Sequence, residues 1–214
     1  GISLQIDQAF EKQFDYIHFF ASAVPASIAT MAAYQATGMP IVQDKEKGVW
    51  KRYVVTPVSN WDLVVGDVIG GTVKTMVSST LAYAITVILI DYNYIGAESV
   101  LNGFFLILIS VVGWVGTSIL IASRVNYNSY FSLGMLINLL IFTTSGMFYP
   151  VEGLPIWLRV VSYINPLTYT VEAFRGIMLR RLTILDLGTN FLLLLLFSVA
   201  MILAGVLSYR RRIE

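Results

Sequence analysis

Long stretches of uncharged, mainly apolar residues recur along this chain, and short polar segments separate them. A helix that crosses the hydrocarbon core of a bilayer needs about 20 such residues. Intervals of 28, 25, 27 and 23 residues between consecutive charged side chains meet that length. An interval of 16 residues also meets it if the amine of Lys74 reaches the headgroups. The pattern predicts an all-α integral membrane protein with five spanning helices, at about residues 17–40, 66–90, 99–123, 130–149 and 188–209.

The composition indicates that lipid, not water, surrounds most of the chain. Of its residues 57% are hydrophobic and 13% are charged, whereas soluble domains carry roughly 25% charged residues. The net charge of +1 supplies no basic field for a nucleic acid, so we expect no nucleic-acid partner. With no Cys and one His, the chain has no disulfides and no Cys-ligated metal site.

The distribution of basic residues predicts the orientation of the spans. Alternation places residues 41–63, the loop at Arg124 and the tail from Ser208 on one side, with eight basic residues against five on the other. The positive-inside rule makes the first side cytoplasmic, so we expect a cytoplasmic C-terminus. An odd number of spans then leaves the N-terminus outside without an export signal, and residue 1 is Gly. We therefore expect a sixth span upstream.

A polar segment at residues 43–58 separates the first two predicted spans. Apolar residues recur four positions apart in the pairs Val49/Tyr53 and Trp50/Val54. This stripe lies opposite basic side chains and predicts a short amphipathic helix, which Pro57 ends. The Ser-x-x-Asp pattern at 59–62 then begins the second span. A charged loop with Trp50 and Trp61 at the headgroups is the alternative.

A second irregular segment, residues 151–186, lies between the fourth and fifth predicted spans. Only 12 uncharged residues separate Arg159 from Glu172, too few to cross a membrane. Pro155 suits the first turn of a helix. That helix carries apolar residues on one side, namely Trp157, Leu158, Val161 and Ile164.

The dipeptide Asn165-Pro166 is typical of a helix start, with Asn165 as the N-cap and Pro166 at the first helical position. The helix that follows has an apolar face formed by Leu167, Val171, Phe174 and Met178. Glu172 and Arg175 are three residues apart and can form an ion pair. The two short helices either dip into the outer leaflet and return or lie flat on the membrane, and periodicity alone leaves both open.

Several short motifs occur in a fixed order along these segments. They are Glu46-Lys47-Gly48 with Thr56-Pro57-Val58-Ser59, then Ser145-Gly146-Met147-Phe148-Tyr149-Pro150, Leu154-Pro155-Ile156-Trp157-Leu158, and Asn165-Pro166-Leu167-Thr168-Tyr169 with Glu172-Ala173-Phe174-Arg175. From about Tyr16 to its end, the chain resembles the permease subunit of type-2 ABC exporters. The resemblance is closest to the branch that exports drugs, antibiotics or nodulation-type glycolipids.

The resemblance implies that residues 1–214 form a single transmembrane permease domain of a multi-pass protein in the cell membrane. Two permease subunits, identical or different, would pair with two ATPases that bind ATP and Mg²⁺, and this chain would bind no cofactor. The exported substrate would be amphipathic or lipid-like, and membrane lipids would surround the subunits. An ATPase-driven permease of this kind is the function that we expect.

The resemblance also implies two groups of functional residues. The cytoplasmic coupling helix, which contacts the ATPase, would comprise Asp44, Lys45, Glu46, Lys47, Gly48, Trp50, Lys51, Arg52, Tyr53, Thr56 and Pro57. The extracellular re-entrant pair, near the substrate exit, would comprise Pro150, Pro155, Trp157, Asn165, Pro166, Tyr169, Glu172 and Arg175.

The residues give no positive support for an enzyme. No carboxylate pair, activated nucleophile or metal cluster falls on one predicted helix face. A G-x-x-x-x-G pattern at 66–71 is followed by Thr72-Val73 where a phosphate-binding loop needs Lys and Ser or Thr. ATP would therefore bind to a separate subunit. A passive channel or a structural membrane scaffold without an ATPase is the alternative function.

Small residues four positions apart favour close helix packing, either within the bundle or between subunits. They occur at Gly66/Gly70, at Ala29/Ala33 and at Gly71/Thr75/Ser79. We expect contacts within the bundle. The ionisable residues His18 and Lys74 lie near span ends, where we expect interfacial positions.

Overall fold

The chain is described by a computed structural model over residues 2–49, 60–90 and 95–213, with side chains for 16–49, 61–90 and 95–209. These residues form helices joined by turns, and no strand occurs among them. Four helices are long and apolar enough to cross a membrane, namely Tyr16–Glu46, Trp61–Ile90, Ala97–Arg124 and Thr189–Tyr209. The prediction of an all-α chain with long apolar helices is confirmed for this part of the chain.

The helices follow the predicted order. They are α1 (Ile2–Ala33), α2 (Met39–Glu46), α3 (Asn60–Ile90), α4 (Ala97–Arg124), α5 (Tyr127–Thr144), α6 (Ile156–Ile164), α7 (Pro166–Arg180) and α8 (Thr189–Ile213). A single turn of π-helix, Tyr34–Gly38, joins α1 to α2 without a break. Two 3-10 turns, Val151–Gly153 and Leu185–Leu187, flank the α6–α7 pair.

Helix α5 covers most of the predicted span at 130–149 but is shorter than the other long helices. It has 18 residues and begins at Tyr127, after the N-cap Asn126, whose side chain accepts the Ser129 N–H at 2.9 Å. It ends at Thr144 because the chain turns at Ser145 and Gly146, where φ is +73°. The helix is not one of the four apolar enough to span by composition alone, so the fifth span remains a prediction.

Helix α7 lies inside the bundle, packed against α1, α4 and α8. Its predicted apolar face is fully buried, at Leu167, Val171, Phe174 and Met178. Helix α6 differs, because most of its predicted apolar face is exposed, with Trp157 at 66% and Ile164 at 77%. The two short helices of the 151–186 segment therefore have opposite environments.

Small residues mediate the close helix contacts within the bundle. Helix α1 packs along α3, where a Cβ on Gly71 would lie 2.2 Å from the Thr37 hydroxyl. The other members of both predicted stripes, Ala29, Ala33, Thr75 and Ser79, are buried. Contacts within the bundle are thus confirmed for these stripes. Gly66 and Gly70 differ, because a Cβ at either position would meet nothing within 4 Å.

The π-turn is held by a pair of tyrosines. The rings of Tyr34 and Tyr130 stack with their centroids 4.1 Å apart at 12° between planes. The Tyr130 hydroxyl donates to the Tyr34 carbonyl at 2.9 Å, and the Tyr34 hydroxyl donates to the Tyr130 carbonyl. On the α4 side, Ser118 donates to the carbonyl of Ala33 at 3.0 Å. These bonds fix α5 to the irregular turn of the α1–α2 helix.

Two glycines make this tyrosine pair possible. A Cβ on Gly38 would lie 1.8 Å from the Tyr130 hydroxyl, and a Cβ on Gly134 would lie 2.3 Å from the Tyr34 ring. Both contacts are far below ordinary van der Waals distance. No sequence pattern had identified this site, because the partners are 96 residues apart.

We expect Gly134→Ala to lower the melting temperature of the purified protein in detergent. Overpacking costs about 1–3 kcal/mol, which exceeds the gain of about 1 kcal/mol from replacing a helical Gly by Ala, because the stacked ring cannot move away. Gly66→Ala is the control. It meets open space, so we expect an unchanged or higher melting temperature, and equal shifts in the two variants would contradict this account.

Candidate functional site

One end of the bundle gathers three segments that are distant in sequence. The Lys45 ammonium donates to the carbonyl of Val125 at 2.9 Å, and the Glu46 carboxylate accepts the Tyr127 N–H at 3.3 Å. The end of α2 is thereby bonded to the loop between α4 and α5. The sequence places these segments on the same side of the membrane, and the contacts agree with that.

The C-terminal end of α8 joins the same end of the bundle. Ser208 is 2.8 Å from the Ser123 hydroxyl and accepts the Arg124 Nε–H at 2.8 Å. The Tyr209 hydroxyl donates to the Asp67 carboxylate of α3 at 2.6 Å. Sequence reasoning did not single out Asp67, although an ionisable residue within a predicted span is itself a signal of function.

The amphipathic helix predicted within residues 43–58 depends on the pairs Val49/Tyr53 and Trp50/Val54, of which only Val49 lies among the described residues. Residues 43–46 are the last residues of α2, and the chain turns at residues 47–49. The physical reason is Gly48, which has φ +65°. The Gly48 N–H bonds to the Lys45 carbonyl and the Val49 N–H to the Asp44 carbonyl, which is the Schellman arrangement of a helix end. The described part of the segment is thus the end of α2 and its turn, and the amphipathic helix stays a prediction.

The predicted coupling residues divide into two sets. Asp44, Lys45, Glu46, Lys47 and Gly48 lie at the end of α2 and in the turn that follows, where Lys45 and Glu46 bond to the loop between α4 and α5. The others, namely Trp50, Lys51, Arg52, Tyr53, Thr56 and Pro57, lie outside the described residues.

The opposite end of the bundle is organised by Arg175, which is 4% exposed. Its Nη1 lies 2.8 Å from the Glu172 carboxylate, so the predicted ion pair is confirmed. Its Nη2 donates to the carbonyls of Gly146 and Met147 at 2.7 and 3.2 Å. The guanidinium also stacks over the ring of Phe19, 3.5 Å from the centroid. Arg175 therefore connects α7, α1 and the turn after α5.

The charge of Arg175 persists despite its burial. Burial lowers the pKa of the guanidinium from its ordinary value, and the Glu172 carboxylate opposes that shift. Arginine nevertheless remains protonated in proteins. A buried cation is costly without compensation, so the carboxylate, the two carbonyls and the aromatic ring are required together.

Asn165 makes a second connection between α7 and the end of α5. Its side-chain oxygen accepts the Leu167 N–H at 2.9 Å, so the predicted N-cap is confirmed. Its amide nitrogen donates to the Ile141 carbonyl at 2.7 Å and to the Thr144 hydroxyl at 3.0 Å. One side chain thus supplies a hydrogen-bond partner to an N–H in the first turn of α7 and to a carbonyl in the last turn of α5.

The structure brings only part of the predicted re-entrant set together. Asn165, Glu172 and Arg175 bond within one region, where Pro166 is the first residue of α7. Pro150 and Pro155 instead stand before short helices as their N-caps. The Tyr169 hydroxyl donates to the Tyr163 carbonyl, and Trp157 is exposed on α6.

Aromatic residues form a pocket beside Arg175. It has a volume of about 360 Å³ and is lined by Tyr16, Phe19, Phe148, Tyr149 and Pro150. Phe148 packs against Phe20 with ring centroids 5.8 Å apart. Arg175 contacts the Phe19 ring of this pocket and donates to the carbonyl of Met147, the residue before Phe148. The lining suits an apolar or aromatic ligand.

We expect Arg175→Gln to destabilise the protein by on the order of 3 kcal/mol, because it removes a charged donor from two buried carbonyls and leaves Glu172 without its cation. Arg175→Lys keeps the charge but loses the planar fork, so we expect an intermediate loss. Thermal unfolding in detergent measures both. Arg180→Gln, an exposed Arg on the same helix, is the control and should not change stability.

Comparison with known proteins places these features in a family context. Residues 4–179 match the family model described as "ABC-2 type transporter". The chain is 22% identical to the probable multidrug ABC transporter permease YbhR of Escherichia coli over 172 residues, which are 80% of this chain and 46% of YbhR. It is 24% identical to the putative transport permease ycf38 of Cyanophora paradoxa over 163 residues, 75% of this chain and 56% of ycf38.

A third relative, the probable multidrug ABC transporter permease YbhS of Escherichia coli, is 22% identical over 200 residues, which are 92% of this chain and 52% of YbhS. The chain thus spans about half the length of the curated relatives it matches. No solved structure matches it. The family match covers three of the four long apolar helices found among the described residues and most of α7, and Thr189–Tyr209 lies beyond it. On this evidence the chain is a multi-pass membrane protein that belongs to the ABC-2 type transporter family.

Proposed function

We propose that the chain is the membrane-spanning subunit of an ATP-driven exporter and that it forms the substrate pathway with a second permease subunit. A separate ATPase subunit would bind ATP and Mg²⁺ and would contact residues 43–58. Membership of the ABC-2 type transporter family carries this proposal. The bonds from Lys45 and Glu46 to the loop between α4 and α5 support it, because they give a movement of the coupling segment a rigid connection to the bundle.

A movement at this segment would reach three further helices. The α1–α2 helix is continuous through the π-turn, so its end cannot shift independently of the span. Helix α5 begins within two residues of Val125, the carbonyl that Lys45 holds. Helix α3 begins at Asn60, and its Asp67 bonds to Tyr209 of α8. The ATPase would thus act on α1, α5, α3 and α8 together.

We also propose the topology that the charge distribution favours. Helix α5 would be the fifth span, the end of the bundle with Lys45 and Ser208 would face the cytoplasm, and so would the C-terminus. Helices α6 and α7 would form the re-entrant pair on the outside. Burial of α7 among α1, α4 and α8, with the exposed apolar face of α6 directed to lipid, supports a re-entrant pair over two helices lying flat.

The substrate would be apolar or amphipathic. The aromatic pocket of Tyr16, Phe19, Phe148, Tyr149 and Pro150 lies beside the proposed re-entrant pair and has few polar groups to orient a hydrophilic solute. Two of the relatives are named as probable multidrug permeases, which is consistent with a substrate of this kind. The pocket would lie near the exit.

Trp50→Ala combined with Tyr53→Ala tests the coupling segment. We expect the double variant, reconstituted with the ATPase, to lose substrate-stimulated ATP hydrolysis while its membrane insertion is unchanged, because the apolar contact with the ATPase is removed. Phe105→Ala is the control, since this exposed ring on α4 belongs to neither predicted group of functional residues. Undiminished transport by the double variant would refute the coupling assignment.

Affinity capture separates the proposal from a passive channel or a structural scaffold. The tagged full-length protein, solubilised from its own membrane, should co-purify a subunit with a phosphate-binding loop. A channel or scaffold should co-purify none, and that result would overturn the proposal of an ATP-driven exporter.

A further inference from the structure

Lys74 is an exposed cation within one of the helices that are long and apolar enough to cross a membrane, Trp61–Ile90. From Lys74 to Ile90 the helix is about 24 Å long at 1.5 Å per residue. The hydrocarbon core of a bilayer is about 30 Å thick, so with Ile90 at one surface of the core the backbone of Lys74 lies about 6 Å inside the other. Because a charge within the core is costly, the ammonium group must reach the headgroups.

The ammonium group of Lys74 makes no hydrogen bond or salt bridge to the residues whose side chains the structure describes. Asp67, seven residues earlier, attracts the charge, but its carboxylate accepts the Tyr209 hydroxyl at 2.6 Å instead. By contrast, Lys45 and Arg124 at the same end of the bundle donate to acceptors within the protein. Lys74 therefore presents its N–H donors and its positive charge at the surface of α3.

Two glycines form an open strip beside Lys74. Gly66 and Gly70 precede it by eight and four residues, so all three share one face of α3. A Cβ at either glycine would meet nothing within 4 Å. Side chains on a helix lean toward its N-terminus, so the Lys74 side chain leans toward the side of Gly70. A lipid headgroup can therefore approach both the ammonium group and the helix backbone without displacing a described side chain.

An apolar row of exposed side chains follows the same helix past Lys74 into the core of the bilayer. Its members are four residues apart and 57–61% exposed, namely Ile69, Val73, Val77, Leu81 and Ile85. The cation and the apolar row beyond it match the phosphate and the acyl chains of one phospholipid. Because the charge of Lys74 is not neutralised by an ion pair among the described residues, it favours a headgroup with a net negative charge over a zwitterionic one.

We propose that Lys74, with the open strip beside it, binds the headgroup of an anionic phospholipid whose acyl chains lie along the apolar row. The lipid lies in the leaflet at the end of the bundle where Asp67 bonds to Tyr209. In the topology proposed above this is the cytoplasmic leaflet. The site requires only that α3 crosses the membrane and is independent of what the protein exports, so its failure would leave the proposed exporter function untouched.

Native mass spectrometry of the full-length protein, delipidated in detergent and titrated with phosphatidylglycerol or phosphatidylcholine, tests this proposal. We expect Lys74→Gln to weaken phosphatidylglycerol binding several-fold and to leave phosphatidylcholine binding unchanged, whereas Lys74→Arg keeps a cation and should bind both lipids as the unsubstituted protein does. Arg180→Gln is the matched control, because it removes the same charge from an exposed position on α7. Unchanged phosphatidylglycerol binding by Lys74→Gln, or an equal loss in Arg180→Gln, would overturn the proposal.

Gly70→Leu tests the geometry of the site without altering any charge. The new side chain fills the open strip, where a Cβ meets no other atom within 4 Å, so we expect a folded protein with weaker phosphatidylglycerol binding. Unchanged binding by this variant would contradict the proposal. The same spectra give the number of subunits in each complex. If a second subunit covers this face instead, Lys74→Gln changes that number and leaves lipid binding as it was, and the lipid site is refuted.

Discussion

The buried guanidinium of Arg175 needs compensating partners within the protein, and this requirement determines how one end of the bundle is built. Arg175 has a carboxylate on its own helix, two carbonyls in the turn after α5 and a ring of α1. Loss of Arg175 would leave two carbonyls and the Glu172 carboxylate without this donor, and loss of Glu172 would leave a buried cation without its counter-charge. The turn at Gly146 and the buried position of α7 thus both bring partners to the charge of Arg175.

The other end of the bundle is held together in a different way. Its bonds join residues at helix ends and are of two kinds: the contact of Glu46 is exposed, whereas Ser123, Ser208 and Tyr209 are buried. Exposed bonds contribute less to stability than buried ones, and together the two kinds connect α2, α3, α4, α5 and α8. The end at Arg175 is therefore held by one buried charge, and the other end is held by several separate hydrogen bonds.

Local signals in the sequence predicted the local parts of this architecture. The N-cap Asn165, the start at Pro166, the buried face of α7 and the ion pair of Glu172 with Arg175 all depend on residues a few positions apart. Contacts across long separations, such as Tyr34 with Tyr130 or Asp67 with Tyr209, depend on packing, which no periodicity encodes. The helix end at Gly48 is also a local signal, because Gly is the usual residue after the last turn of a helix.

The π-turn in the first long helix sets the direction in which the side chains of α2 point around the helix axis. Each residue of an α-helix advances the chain by about 100° around the axis and 1.5 Å along it. A π-turn accommodates one residue more than an α-turn, so α2 is rotated by that angle relative to an uninterrupted helix. Without the extra residue, Lys45 and Glu46 would be turned by about 100° around the axis from their present position beside Val125 and Tyr127. The contact between these segments therefore depends on chain length within residues 34–38 as much as on the identity of the contacting side chains.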